Sequence, residues 1–199
     1  MAENNSCGAV TLNAIDARCD ASMGGIKEIY IALRDDIKED LSTGKKDITV
    51  NWTYNEDTKQ WEGDGLVTKI AMVTGKKFEK WKFRKQTGSY TSTASMDPAI
   101  GTNYVTTEVA LQFSRAEASK RLNIQSAMNA NSVVIVRDMY DQYLLLGLEN
   151  EVSVTAAVMQ SGTASTDLSG FTLTLTDISQ ELPHFIDPAI INGLFVAAA

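Results

Sequence analysis

Apolar and polar residues alternate with a period of two through most of this chain. The first clear run has apolar residues at Ile29, Ile31 and Leu33, each separated by one residue. Because successive side chains of a strand point to opposite faces, the run predicts a strand with one face buried. Ten similar runs are further strand candidates: 48–54, 60–62, 66–73, 77–84, 88–95, 104–113, 133–136, 142–146, 152–158 and 171–175. From all the candidates together we expect about nine strands.

Short polar connections separate these runs. Asn55-Glu56-Asp57 follows the second run, Gly75 precedes the fifth, and the segments 86–88 and 97–101 carry glycine or proline. Turns this short join neighbouring strands that run in opposite directions. The sequence therefore predicts antiparallel sheets.

One segment has the features of a helix. Ser114 and Glu117 stand three residues apart, the spacing of a capping box, and the residues after them favour a helix over 115–129. Its apolar residues do not gather into one narrow stripe on a helical wheel. Two interpretations stay open: a weakly packed helix, or a helix that touches its own sheet on one side and another subunit on the other.

These elements predict a mainly β fold, an antiparallel β-barrel or sandwich with one flanking α-helix. We expect an extended N-terminal arm at 1–25, a β domain at 26–182 and an apolar C-terminal arm at 183–199. The last arm must be covered either by its own domain or by a neighbouring subunit, and we favour the neighbour. Its candidate inter-subunit contacts are Ile190, Ile191, Leu194 and Phe195.

Composition narrows the functional classes. The 199 residues are 44% hydrophobic and 22% charged, with a net charge of -7 and a pI near 4.7. Such an acidic chain repels nucleic acid on average, which disfavours general DNA binding. The sequence has no recognisable secretory signal or membrane-spanning run, so we expect synthesis in a cytosol, where Cys7 and Cys19 stay free thiols.

The search for catalytic chemistry finds little. His184 is the only histidine, and it has no partner residues at a metal-ligand or triad spacing. Phosphate-binding glycine motifs are absent from the sequence. The acidic residues at 35–40 do not follow a calcium-loop pattern, so a solvated face is the better interpretation. We therefore expect no enzyme activity, no cofactor and no metal.

Residues 75–85 combine basic and aromatic side chains. On a strand, Lys80, Lys82 and Arg84 share one face, while Trp81 and Phe83 share the other. A structural strand with buried rings fits this pattern best. Two alternatives stay open: single-stranded nucleic-acid binding, and an interface with an acidic patch on another subunit, for which the three cations are further candidate contacts.

Three stretches carry a resemblance to a known family. They are Cys19-Asp20 with GGIKEIYI at 24–31, TGSYTSTASMDPAIGTNYVTTEVALQFSR at 87–115 with the helix after it, and LSGFTLTLTDISQELPHFID at 168–187. In these stretches the chain resembles the tail tube proteins of long-tailed bacteriophages, particularly phages of Bacteroides-like hosts. Hcp-like secretion tubes share that general architecture.

The resemblance implies a structural protein of the virion tail, built as an antiparallel barrel with a flanking helix. Its copies would form hexameric rings that stack into a hollow tube, with other tail proteins as partners and DNA passing through without specific binding. A tail terminator or head-completion ring of the same fold is an alternative. Small residues at 89–95 would then line the lumen, and Val105, Val109, Leu111 and Phe113 would pack outward against the helix. Acidic charge at the lumen would keep DNA from sticking.

Overall fold

The alternating runs form antiparallel strands in the computed structural model of the protein, which describes residues 23–57, 60–84, 86–97, 99, 101–164 and 166–195. The described part contains eleven strands and two α-helices. The strands are β1 (Ile26–Leu33), β2 (Ile48–Asn55), β3 (Gln60–Ile70), β4 (Glu79–Trp81), β5 (Gly88–Asp97), β6 (Thr102–Ser114), β7 (Ser132–Asp138), β8 (Tyr143–Leu146), β9 (Ser153–Gln160), β10 (Gly170–Ser179) and β11 (His184–Phe185). The helices are α1 (Ala118–Met128) and α2 (Pro188–Leu194).

The strands belong to three sheets. A five-stranded sheet has the order β11-β8-β7-β1-β4, a four-stranded sheet has the order β5-β6-β10-β9, and β2 pairs with β3 in a separate hairpin. All pairings between named strands are antiparallel, as the short turns predicted. The fold is therefore mainly β.

The five-stranded sheet is the middle layer, and both of its faces are buried. Ile29 and Ile31 of β1 point into a core shared with the four-stranded sheet. Tyr30 and Ala32 point the other way, into a core shared with the β2–β3 hairpin and α2. The expectation of one buried face for β1 was wrong, because a second layer covers the side that the sequence suggested was exposed.

The strands do not close into a barrel, so the sandwich is the correct half of the barrel-or-sandwich prediction. Within the described residues, β5 and β9 each have a partner on one side only, and the same holds for β4 and β11. Two sheets instead pack face to face through alternating apolar side chains, among them Val109, Leu111 and Leu173.

Helix α1 is shorter than predicted and begins without the capping box. Its N-cap is Glu117, and no side chain caps the first turn. Ser114 instead ends β6, where its backbone carbonyl accepts a hydrogen bond from Lys120 Nζ at 2.8 Å. The strand extends to residue 114 because its pairing with β10 continues to Gly170, which takes Ser114 away from the helix start.

The C-terminal segment through residue 195 belongs to the domain, so the predicted boundary after residue 182 does not separate an arm. β11 pairs with β8, and α2 begins at the N-cap Asp187, whose side chain accepts a hydrogen bond from the Ala189 N–H at 2.8 Å. The sequence prediction missed both elements because β11 has two residues and α2 has seven. Residues 1–22 of the predicted N-terminal arm, with Cys7 and Cys19, and residues 196–199 lie outside the described residues.

Candidate assembly surfaces

The four-stranded sheet has two long edge strands, β5 and β9, without a second strand partner among the described residues, although α1 lies beside β9 and Val152, just before β9, pairs with Ser132. Its outer strands, β5 with 10 residues and β9 with 8, have no strand partner on their far sides within the described chain. The edges of the central sheet are much shorter, with 3 residues in β4 and 2 in β11. Long open edges present unpaired amides and carbonyls that can pair with another chain, whereas very short edge strands avoid this.

Backbone hydrogen bonds identify which amides of β5 point to the open edge. The Gln112 N–H donates to the Thr87 carbonyl at 3.2 Å, one register position before the Gly88–Leu111 pair. Because bonded and non-bonded pairs alternate in an antiparallel ladder, the odd-numbered residues of β5 bond to β6. The amides of Tyr90, Ser92 and Ala94 therefore face the open edge.

The outer face of the same sheet is rich in hydroxyl groups. It presents small polar side chains from β5, β6, β9 and β10, whose positions alternate with the buried core residues: Ser89, Thr91, Thr93, Ser95, Thr106, Thr155, Thr172, Thr174 and Thr176. Two of them, Thr155 and Thr176, have their hydroxyl oxygens 2.8 Å apart. No other described element covers this face, and its charged residues are acidic: Glu108 in mid-strand and Asp97 at the end of β5.

The apolar residues of β6 are buried, and their main packing partner differs from the prediction. Val105, Val109, Leu111 and Phe113 are all at most 6% exposed. The last three lie in the core between the two sheets, to which α1 adds Ile124. The central sheet therefore covers most of the surface that we expected the helix to cover.

Helix α1 has an apolar residue on each side. Ile124 is 5% exposed and lies in the core, whereas Leu122 is 63% exposed. At 100° per residue these two side chains point in nearly opposite directions. This arrangement is compatible with both interpretations of the helix, which stay open.

The basic segment is a short strand with an irregular continuation, so a strand over 77–84 was too long. The predicted sidedness holds: Trp81 packs edge-on against Phe113 with ring centroids 5.8 Å apart, and Phe83 packs against the same core. Lys82 and Arg84 are exposed. Trp81 nevertheless lines one open cleft together with Lys80, Lys82 and Lys120, so single-stranded nucleic-acid binding stays an open alternative.

Lys80 is engaged within its own chain, unlike Lys82 and Arg84. Its ammonium donates a hydrogen bond to Glu28 and lies 5.7 Å from the centre of the Tyr30 ring. Glu28 also accepts hydrogen bonds from Tyr30 Oη at 2.6 Å and from Arg137 Nη1 at 2.9 Å. Burial raises the pKa of the Glu28 carboxyl, but the three hydrogen bonds and the Lys80 charge outweigh it and lower the pKa to about 2. This cluster joins β1, β4 and β7 and is structural.

The four apolar candidates at the C-terminus lie against their own domain. Ile191 and Leu194 are buried in the second core, and Ile190 and Phe195 pack against it. The ring of Phe195 stacks on Tyr30 at a centroid distance of 3.7 Å. The preference for cover by a neighbouring subunit was therefore wrong for Ile191 and Leu194, since their own chain hides them.

No catalytic or metal arrangement comes together in the part of the chain that the structure describes. His184 Nδ1 lies 2.9 Å from the Gly65 carbonyl and Nε2 lies 3.1 Å from Glu181, so the ring links β11 to β3. The described residues contain no group of three metal-ligating side chains and no helix long and apolar enough to cross a membrane. Among the acidic residues at 35–40, Asp36 pairs with Lys76 at 3.1 Å, and Asp35 and Glu39 lie 3.9 and 3.2 Å from Lys46.

Comparisons of the chain with family models, curated proteins and solved structures find no match. The resemblance to phage tail tube proteins therefore stays a prediction, and a function must be argued from the surfaces described above. The sequence prediction did not find the two open edges as such. Edge strands are set by the order of strands in a sheet, and no local pattern reports that order.

Proposed function

We propose that this protein is a structural subunit of a phage tail tube, and that its copies assemble into rings by joining their four-stranded sheets edge to edge. The observation that carries the proposal is the pair of long open edges on β5 and β9. A single copy would leave both exposed, which is a well-known route to aggregation. A ring of copies pairs every edge with another edge.

The strand directions support such a ring. In the order β5-β6-β10-β9 every neighbouring pair is antiparallel, so the two edge strands run in opposite directions. When one copy is rotated about an axis that runs along the strands, its β9 meets the β5 of its neighbour in antiparallel orientation. The contact is heterologous, since two different edges meet, and heterologous contacts that close by rotation form rings.

The outer face of the four-stranded sheet would line the lumen of this ring. It carries small hydroxyl side chains, and its charged residues, Glu108 and Asp97, are both acidic. DNA binds proteins mainly through cations that replace its counterions. A hydroxyl-rich wall with acidic charge would let DNA pass without holding it, which is what a conduit requires.

Assembly of the purified chain tests the proposal. We expect size-exclusion chromatography with light scattering to give closed oligomers, and negative-stain images to give rings or tubes with an open centre. A chain that stays a single copy at high protein concentration, with residues 1–199 intact, would contradict the proposal. An irregular aggregate without a central opening would contradict it as well.

A further inference from the structure

The two ends of the four-stranded sheet carry opposite charge. At one end β5 and β10 finish and β9 begins, and we call this the acidic end. Four acidic residues in or beside these strand ends are exposed: Asp97, Glu149, Glu151 and Glu181. Two of them are partly engaged, because Glu149 accepts a hydrogen bond from the Gln180 N–H at 2.9 Å and Glu181 lies 3.1 Å from His184 Nε2. One cation reaches this end: the Arg34 guanidinium donates to the backbone carbonyls of Gly147, Glu149 and Asn150 at 2.7–2.8 Å, so its hydrogen bonds go to carbonyl groups and the four carboxylates remain in excess.

At the opposite end, which we call the basic end, β5 and β10 begin and β6 finishes. Arg84 precedes β5 and Arg115 follows β6, and both side chains are exposed. Lys82 is also exposed on the same connection between β4 and β5. The acidic residues nearby are Glu117 and Asp167: Glu117 pairs with Lys120 at 3.3 Å and lies 4.0 Å from Arg115 Nε, and Asp167 closes its own turn.

Arg84 and Arg115 line one open cleft of about 370 Å³ at the basic end. Its other polar lining includes the hydroxyl residues Thr87, Ser114, Thr166 and Ser169. Asp167 lines it too, but Asp167 Oδ2 accepts hydrogen bonds from the N–H groups of Thr163 and Ala164, both at 2.8 Å. Two guanidinium groups beside hydroxyls suit a carboxylate, because the planar fork of arginine donates two parallel hydrogen bonds to its two oxygens.

We propose that the Arg84–Arg115 cleft binds exposed carboxylates at the acidic end of a second copy, so that copies join end to end. This inference rests on the proposed function and adds the chemistry by which one ring stacks on the next. The contact joins two different surfaces by a translation along the strands. Such a contact does not close on itself, and it therefore builds an open stack.

The inference predicts that stacking weakens with salt. Both sets of charges are exposed, and exposed charges are screened over about 8 Å at physiological ionic strength. Edge-to-edge pairing within a ring uses backbone hydrogen bonds and is much less sensitive to screening. Raising the salt concentration should therefore separate tubes into rings before the rings themselves dissociate.

Charge-swapped variants test the inference. Variant one carries Arg84→Glu with Arg115→Glu, and variant two carries Glu151→Lys with Glu181→Lys. Each variant alone should form rings of normal size, with shorter stacks in negative-stain images and an association between rings at least about tenfold weaker, the effect of losing roughly 1.4 kcal/mol per pair of rings. An equal mixture should restore long stacks, because each end of variant one then meets an end of opposite charge on variant two.

A matched control changes net charge without touching either end. Lys38→Glu with Lys45→Glu lies in the loop after β1, alters charge by the same amount as variant one, and should stack like the original chain. Normal stacking by variant one, or no recovery in the mixture, overturns the inference while leaving the ring proposal intact. If variant one stacks normally but loses binding to a single-stranded oligonucleotide, the cleft is a nucleic-acid site instead. Absence of rings from the unaltered chain overturns both proposals.

Discussion

The Gln112 N–H donates a hydrogen bond to the Thr87 carbonyl at 3.2 Å, and this contact identifies which amides of β5 point towards β6 and which point to the open edge. From it follows that the Thr93 amide bonds to β6 whereas the Ala94 amide points to the open edge. A substitution at Ala94 can therefore remove an amide from the open edge without disturbing the pairing of β5 with β6 inside one copy.

Ala94→Pro should block ring formation. Proline has no N–H, so the variant loses the edge amide of residue 94. Because the Ala94 amide points away from β6, its loss leaves the hydrogen bonds between β5 and β6 in place. We expect a folded chain with an unchanged far-ultraviolet circular dichroism spectrum and an association at least about tenfold weaker by light scattering. Ala94→Ser, which keeps the amide, is the control. Full-strength assembly of the proline variant would count against pairing through β5.

Leu111→Asp should abolish the folded protein. Leu111 is 0% exposed in the core between the two sheets, and an unpaired carboxylate there costs more than about 4 kcal/mol, comparable to the whole stability of many domains. The adjacent change Gln112→Asp introduces the same group at an exposed position and should give soluble, folded protein. Solubility and thermal melting of the two variants measure the difference, and equal melting temperatures would refute the burial of residue 111.

Glu28→Gln should destabilise the protein at neutral pH by about 1–3 kcal/mol, because Lys80 and Arg137 lose a charged partner. The pKa of Glu28 is lowered to about 2 in the folded chain, below its value in the unfolded chain. The stability that its carboxylate provides is therefore present above about pH 4.3 and is lost as the pH falls towards 2. Urea titrations should show a difference in the free energy of unfolding between the original chain and the variant that narrows over that pH range. A difference independent of pH would contradict the role assigned to the Glu28 carboxylate.

Asp177→Asn should stabilise the protein by about 1 kcal/mol near neutral pH. Asp177 is 3% exposed and its Oδ1 has no hydrogen-bond partner among the described residues. Burial raises the pKa of Asp177, and the negative charge of Glu149 adds to this effect. The hydrogen bond from the Gly147 N–H lowers the pKa but does not outweigh them. A raised pKa means that the ionised carboxyl costs stability as the pH rises above about 4, so the advantage of the variant should be small at pH 4 and larger at neutral pH. A constant difference across that range would argue against this assignment.

Glu108→Lys should convert a wall that repels DNA into one that retains it. Glu108 lies in the middle of the hydroxyl-rich face, and a ring of copies would repeat the change once per subunit. We expect the variant to assemble normally and to bind duplex DNA with an affinity that falls steeply with salt, while the original tube does not bind. Glu56→Lys, in the exposed turn between β2 and β3, raises the net charge by the same amount outside this face and is the control. If the original and Glu108→Lys tubes bind DNA equally weakly, the hydroxyl-rich face of the four-stranded sheet does not line the lumen.

Local patterns predicted most of the strands of this fold. Alternation located β1, β6 and β10 to within a few residues, because strands with one strongly apolar face leave a clear period of two. The same rule failed on the second face of β1. Tyr30 is only 6% exposed because β2, β3 and α2 form a third layer, and contacts between segments so distant in sequence leave no local signal.

The candidate site was only partly predictable for the same reason. The packing of Trp81 against the core was predicted from strand geometry and is present in the structure, whereas Arg84 lies beyond the end of β4 and is exposed there. That Lys80 would be held by Glu28 of β1, while Arg84 joins Arg115 in one cleft, depends on which strands become neighbours. Strand order is decided by the packing of the whole chain, so the open edges and the charged ends needed the three-dimensional structure.

The most direct test is an electron cryomicroscopy reconstruction of the assembled, purified chain. We predict β5 of each copy hydrogen bonded to β9 of the next around a closed ring, with the threonine-rich face of the sheet towards the central opening. A reconstruction in which both edges stay unpaired, or in which that face points outward, would contradict the account.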